Sequence, residues 1–411
     1  MHTLNLLFLG LVIVVLLLKL YLNQRQIGAI NNHYTQVPVK FAASITLEQH
    51  QKAAKYNINK LKVDNVQNIY ATILLLGFTL GGGINLINNL CAKLNATALT
   101  YGVIVIAAFT LINAVLNLPF SFYDTFKVEQ KYGFNNTTLK LFIVDLIKST
   151  CLMLLIGIPL LYLILYLIMS VTTWWLWVWL VFVIFNLTIM VIYPLFIAPL
   201  FNKFSPLEDE NLNQRINHLL ERCGFKAKGV FVMDGSRRSS HGNAYFTGIG
   251  KSKRIVFFDT LIKNLAVDEI EAVLAHELGH FKKKHILRKI IIAFALNLVV
   301  LYLLSLLITQ PLFYNGLGVN TVNVHNGLIL FTILIGLVGV PLKPLSAYFS
   351  RKDEFEADSF AAQYKHKDFL ISGLVKLYRD NAATLTPDSL YATFYYSHPP
   401  ATIRIEHLEA Q

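Results

Sequence analysis

Seven stretches of the chain are almost wholly apolar, and each is about as long as a bilayer is thick: residues 4–22, 69–90, 100–120, 139–169, 174–200, 286–312 and 327–345. A helix needs about 20 such residues to cross the hydrocarbon core, so each run predicts a membrane span. The first is too long for a signal peptide, has no basic start and offers no small-residue cleavage site, which predicts a retained span. Residues 201–285 follow a different pattern. Leu212, Ile216, Leu219 and Leu220 fall on one side of a helix over 211–223 that Gly224 ends. Short β-type runs over 229–233, 244–249 and 254–258 are broken by Gly and Ser and predict a small sheet. Helical spacing resumes at Val267, with Ile270, Val273, Leu274 and Leu278 apolar, and leads into the sixth span. The pattern predicts an all-α multi-pass membrane protein with seven transmembrane helices and a small α+β insertion.

Composition agrees. The apolar set makes up 55% of the 411 residues and charged residues only 15%, against about 45–50% and about 25% in soluble domains. The excess needs a non-aqueous solvent, and the lipid bilayer is the expected partner. The net charge of +12 is high for so few charged residues, and its distribution explains it. Arg25, Lys40, Lys52, Lys55, Lys60 and Lys62 follow the first span, Lys127 and Lys131 the third, and Arg215, Arg222, Arg237 and Arg238 the fifth, while the alternate loops are nearly bare. Basic residues stay on the inner side, so the N-terminus is expected outside and the 201–285 segment inside. A nucleic-acid partner would want basic residues interleaved with aromatics on one soluble face, and none is expected. Cys91, Cys151 and Cys223 have no metal-type spacing and predict packing residues rather than disulfides.

Polar residues inside spans are costly unless they face protein or water. Gly81, Gly82 and Gly83 precede Asn85, Asn88 and Asn89; Asn113 and Asn117 sit four apart; Asp145 and Lys148 share a helix face. Interhelical hydrogen bonds and a buried ion pair are expected, with a wet cavity as the alternative.

The chemistry stands on the helix before the sixth span, as His276-Glu277-Leu278-Gly279-His280. Residues four apart stack on one helix face, so both imidazoles can point at one ion, and Glu277, one step round, reaches the position where water would sit. This is the HExxH pattern, in which the metal acidifies water and the glutamate takes its proton. Chance would supply it only about 0.01 times in a chain of this length and composition. A catalytic zinc needs a third protein ligand, and Glu354-Phe355-Glu356-Ala357-Asp358 after the last span offers two carboxylates four apart. Glu354 is expected as the ligand. Asp358 is expected to hold a ligating imidazole by its other N–H or to stand as a proton donor.

With these residues in view, the chain resembles the integral-membrane zinc endopeptidases that include the type I CAAX prenyl proteases and the bacterial heat-shock membrane protease. The CAAX branch fits better. Residues 126–135 (FKVEQKYGFN), 197–204 (IAPLFNKF), 240–248 (SHGNAYFTG) and 397–400 (SHPP) are similar to motifs of that family and run through nearly the whole length. The resemblance implies seven helices around a large water-filled chamber, with one Zn2+ per chain held by His276, His280 and Glu354, and Glu277 as general base. It also puts Asn243 and His398 near the substrate. Both side chains can donate to a developing oxyanion, and Asn243 adjoins a strand whose edge could hold an extended peptide. Two units are expected, an N-terminal membrane domain over 1–204 and a zinc peptidase domain over 205–411.

Residues 313–326 form a short loop where eukaryotic members carry a long insertion, and the chain stops at Gln411 without a retention-type tail. A bacterial inner membrane is therefore expected, or the ER membrane if the source is eukaryotic, with the zinc site on the cytoplasmic side. The substrate is a peptide or protein, prenylated or membrane-embedded. One rival reading is a quality-control protease of heat-shock type without CAAX specificity; a remote one is a seven-helix transporter with a vestigial zinc site.

Overall fold

A computed structural model describes residues 3–226, 228–247 and 254–411. The membrane part is built from α1 (Thr3–Asn32), α2 (Leu47–Phe78), α3 (Gly83–Ala92), α4 (Ala98–Tyr123), α5 (Leu139–Ser170) and α6 (Trp174–Ile192). Then come β1 (Phe204–Pro206), α7 (Glu210–Arg222), β2 (Val230–Met233), β3 (Ala244–Thr247), β4 (Arg254–Phe258) and α8 (Val267–Lys282). The chain returns to the membrane as α9 (His285–Leu307) and α10 (Val324–Tyr364), and ends in α11 (Lys367–Asp380) and α12 (Ala401–Glu409). Among the described residues six helices are long and apolar enough to cross a membrane, or seven if the bent pair α2 and α3 is one span.

That bend corrects the expectation of a single span over 69–90. The two helices meet at 53°, because Gly81 and Gly82 separate them and Gly83 opens α3. Gly82 has φ +78°, and a Cβ on Gly81 would sit 2.8 Å from the Gly77 carbonyl oxygen. Any side chain there forbids the close turn. The last apolar run and the Glu354–Asp358 segment, expected as separate pieces, are one 41-residue helix, α10.

Asp145 and Lys148 do not pair with each other. The Arg238 guanidinium takes both Asp145 oxygens, at 2.8 and 3.0 Å, and Lys148 donates to the Leu200 carbonyl at 2.7 Å. A planar fork matches a carboxylate better than an ammonium does, and it ties α5 to the sheet segment. Asn85 donates to the Gly318 carbonyl at 3.0 Å and Asn88 to Asn326 at 2.9 Å, so the hydrogen-bond reading describes both. Water-accessible space exists elsewhere: a cavity of about 710 Å³ is walled by Lys19 and Gln26 of α1, the polar half of α2 with Asp64 and Asn68, and Lys343 of α10. Cys91 and Cys223 are buried as expected, but Cys151 is exposed on α5.

The sheet has the order β1-β2-β4-β3, with β2 and β4 parallel and both outer pairings antiparallel. β1 was not legible in the sequence, being three residues that include Ser and Pro. β3 ends at Thr247, and the remainder of the expected run to Ile249 lies outside the described residues. The core below the sheet joins Ile216 and Leu219 of α7, Ile255 and Phe257 of β4, Ile270, Leu274 and Leu278 of α8, Phe360 of α10 and Leu374 of α11. Each such side chain contributes about 1.5–3 kcal/mol on burial. Together they fix α8 against α10 and α11. Glu269 adds direction: its carboxylate accepts from the Ala266 N–H at 2.7 Å, capping α8, and from Ser372 and Lys376 of α11 at 2.6 and 2.7 Å.

Candidate metal centre

His276 and His280 lie on the same face of α8, and α10 brings a carboxylate to them because the two backbones nearly touch. A Cβ on Gly279 would stand 2.9 Å from the Ala357 Cα and 3.1 Å from its carbonyl oxygen. Such contacts cannot be relieved by turning a side chain. A glycine inside a helix otherwise costs about 1 kcal/mol, so Gly279 between the two histidines marks a close helix approach. Gly279→Ala is expected to push α10 away, costing about 1–3 kcal/mol of stability by overpacking and lowering metal retention. Metal content per chain and thermal unfolding measure both; wild-type values for the variant would contradict this packing account.

The His276 and His280 Nε2 atoms are 3.2 Å apart, and they lie 3.3 Å from Glu354 Oε2 and Oε1 respectively. Neighbouring ligands on a tetrahedron with zinc bonds of about 2.0–2.1 Å stand about 3.3–3.4 Å apart. The triangle therefore has the size of one face of a zinc tetrahedron. Two imidazole lone pairs and a carboxylate facing one another repel unless a cation sits between them. In keeping with this, Glu354 Oε2 is buried without a hydrogen-bond partner. Among the described residues these three form a group whose ligand atoms all lie within 4.8 Å. The donor set fits a borderline-soft divalent ion.

The structure brings the other expected residues to the same place. Asp358, fully buried, puts Oδ1 2.8 Å from His276 Nδ1, the ring nitrogen turned away from the triangle. Glu277, Asn243 and His398 line one pocket of about 160 Å³ beside His276. Burial pushes the Glu277 carboxyl above its ordinary value, with the adjacent His276 and His280 opposing; a general base works best when its pKa approaches the working pH. His398 Nε2 is 3.4 Å from Glu354 Oε1. Asn243 accepts from the Ala244 N–H at 2.8 Å through its side-chain oxygen.

Sequence reasoning missed two participants here. Arg404 of α12 is 4% exposed and grips both Asp358 oxygens at 2.7 Å. Its signal was periodic: Ala401, Ile405 and Leu408 are the buried positions of α12, and Arg404 shares their stripe at i, i+3, i+4, i+7 spacing. A cation on a buried face needs a carboxylate. Asn381, just past α11, clasps Gly242 by accepting from its N–H at 3.1 Å and donating to its carbonyl at 3.3 Å. It thereby pins the chain beside Asn243, and it lines both the pocket and the large cavity. An asparagine after a helix reads as an ordinary cap, so nothing distinguished it.

Comparison with known proteins covers the whole chain. Residues 26–203 match the family model described as CAAX prenyl protease N-terminal, five membrane helices, and residues 206–411 match peptidase family M48. CAAX prenyl protease 1 of Saccharomyces cerevisiae is 38% identical over 315 residues, 72% of this chain and 70% of the relative. A CAAX prenyl protease 1 homolog of Arabidopsis thaliana is 33% identical over 98% of this chain and 96% of its own. The crystal structure of S. mikatae Ste24p superposes with a TM-score of 0.93 at 32% identity, covering both chains fully.

Proposed function

The chain belongs to peptidase family M48, in its CAAX prenyl protease branch, and on that footing we propose that it hydrolyses peptide bonds near the C-terminus of prenylated proteins with one zinc ion as cofactor. It is a multi-pass membrane metalloendopeptidase. The observation that carries the reading is the triangle of His276, His280 and Glu354, with the Glu354 oxygen that has no hydrogen-bond partner.

When bound there, zinc supplies the Lewis acidity that lowers the pKa of water and polarises a scissile carbonyl. Glu277 takes the proton from the attacking water and delivers it to the leaving amine nitrogen. His398 and Asn243 line the pocket from the substrate side, where a donor stabilises charge developing on the carbonyl oxygen. Asp358, neutralised by Arg404, holds His276 by its outer nitrogen. β3 is an edge strand of the sheet, suited to pairing with an extended peptide. Asn381 borders both that pocket and the polar cavity, which supports a path for a hydrated peptide between the two.

We divide the chain at 204/205, a boundary supported by the two family matches. We assign it to a bacterial inner membrane, or to the ER membrane if the source is eukaryotic, with the zinc site on the cytoplasmic side. The Lys/Arg bias of the loops supports the sidedness. Parallel turnover of a farnesylated C-terminal peptide and of an unfolded membrane protein tests the substrate class. Faster cleavage of the peptide is expected; indiscriminate degradation of the unfolded protein with the peptide intact would sink the reading.

A further inference from the structure

We propose that His285 is a positioning residue for the metal: it fixes the tautomer of the ligand His280 through a chain of hydrogen bonds that ends on Glu356. This rests on the metal reading of the His276, His280 and Glu354 cluster.

His280 Nδ1 lies 3.0 Å from His285 Nδ1, and His285 Nε2 lies 3.0 Å from Glu356 Oε2. His285 itself is fully buried, so water does not supply alternative partners. Proton counting leaves one arrangement that serves a metal. A ligating His280 presents the Nε2 lone pair to the ion, so its proton is on Nδ1. That proton is donated to His285 Nδ1, which must then carry a lone pair. The second proton of the chain is on His285 Nε2 and is donated to the Glu356 carboxylate. The reverse arrangement would put a proton on His280 Nε2, 3.2 Å from His276 Nε2 and inside the metal triangle. With His285 neutral, a carboxylate at the far end excludes this, because it accepts and does not donate.

The neighbouring charges are disposed to leave Glu356 as the acceptor. Asp353 is nearer the core, but its Oδ1 is 4.0 Å from His285 Nε2, and it is paired with Arg288 and with Lys289 at 3.5 Å. The backbone shows what placing His285 costs. Lys284 holds φ 59°, a left-handed conformation unfavourable for a residue with a Cβ. It closes the tight turn that starts α9 and returns His285 to His280, five positions back. The two imidazole ligands therefore have matching supports: His276 is held by Asp358, and His280 by Glu356 acting through His285.

The test uses the full chain in detergent, with zinc affinity read by competition against a chromophoric chelator. His285→Phe keeps an aromatic ring but removes the acceptor, and should weaken zinc binding about 10–100-fold. His285→Asn restores an oxygen near the Nδ1 position and should recover most of that loss. Glu356→Ala is at a partly exposed side chain and should fold whatever the fate of the buried variants; a smaller loss in the same direction is expected. Wild-type zinc affinity in His285→Phe and Glu356→Ala, with only the unfolding temperature lowered, would overturn the proposal. Wild-type protein that binds no zinc would instead overturn the metal reading on which it rests.

Discussion

Glu277→Gln is expected to leave the metal in place and to lower peptide hydrolysis by about 10²–10⁴-fold, the range that a positioned general base contributes. Glu277 is not part of the His276, His280 and Glu354 triangle. It lines the pocket one residue round the helix from His276, so its loss removes a proton acceptor and no ligand. An amide of the same shape keeps the packing and cannot take a proton. Metal analysis and turnover on the same purified sample separate the two effects. Near-normal turnover, or loss of metal alongside activity, would remove Glu277 from the role of base.

Glu354→Ala should behave in the opposite way. With two histidines left, a four-coordinate site loses its only anionic ligand and retains two open positions, which is too few protein ligands for a stable catalytic site. Zinc content after dialysis should fall from close to one per chain to a small fraction, and activity should fall with it. Glu354→Gln keeps a neutral oxygen at the position and should lie between. Full occupancy in Glu354→Ala would mean that the third ligand comes from elsewhere.

How far the sequence could be read depended on whether a feature was local. His276, Glu277 and His280 were legible because helix periodicity alone puts four-apart residues on one face. The carboxylate four before Asp358 was legible because zinc chemistry demands a third donor. The spans were legible because length and apolarity are summed over a window. What escaped depends on contacts between distant segments or on single backbone torsions. The run over 69–90 looks uniform in hydropathy, yet Gly81 to Gly83 break it through one φ of +78° at Gly82. Asp145 and Lys148 looked like a pair because they are neighbours on a helix, but Arg238, far along the chain, offers a better geometry. His285 stands immediately before the sixth apolar run and carries no motif of its own. Its partner His280 is only five positions away, but the turn at Lys284 that joins them has no composition signal.

If the proposed metal held by His276, His280 and Glu354 drives peptide cleavage, activity must follow that metal. The most direct measurement is cleavage of a farnesylated C-terminal peptide by the purified full chain, before and after chelation and after zinc is returned. Chelation is expected to abolish cleavage of the peptide, and roughly one zinc per chain to restore it. Cleavage that persists at its initial rate in metal-free protein would contradict that dependence.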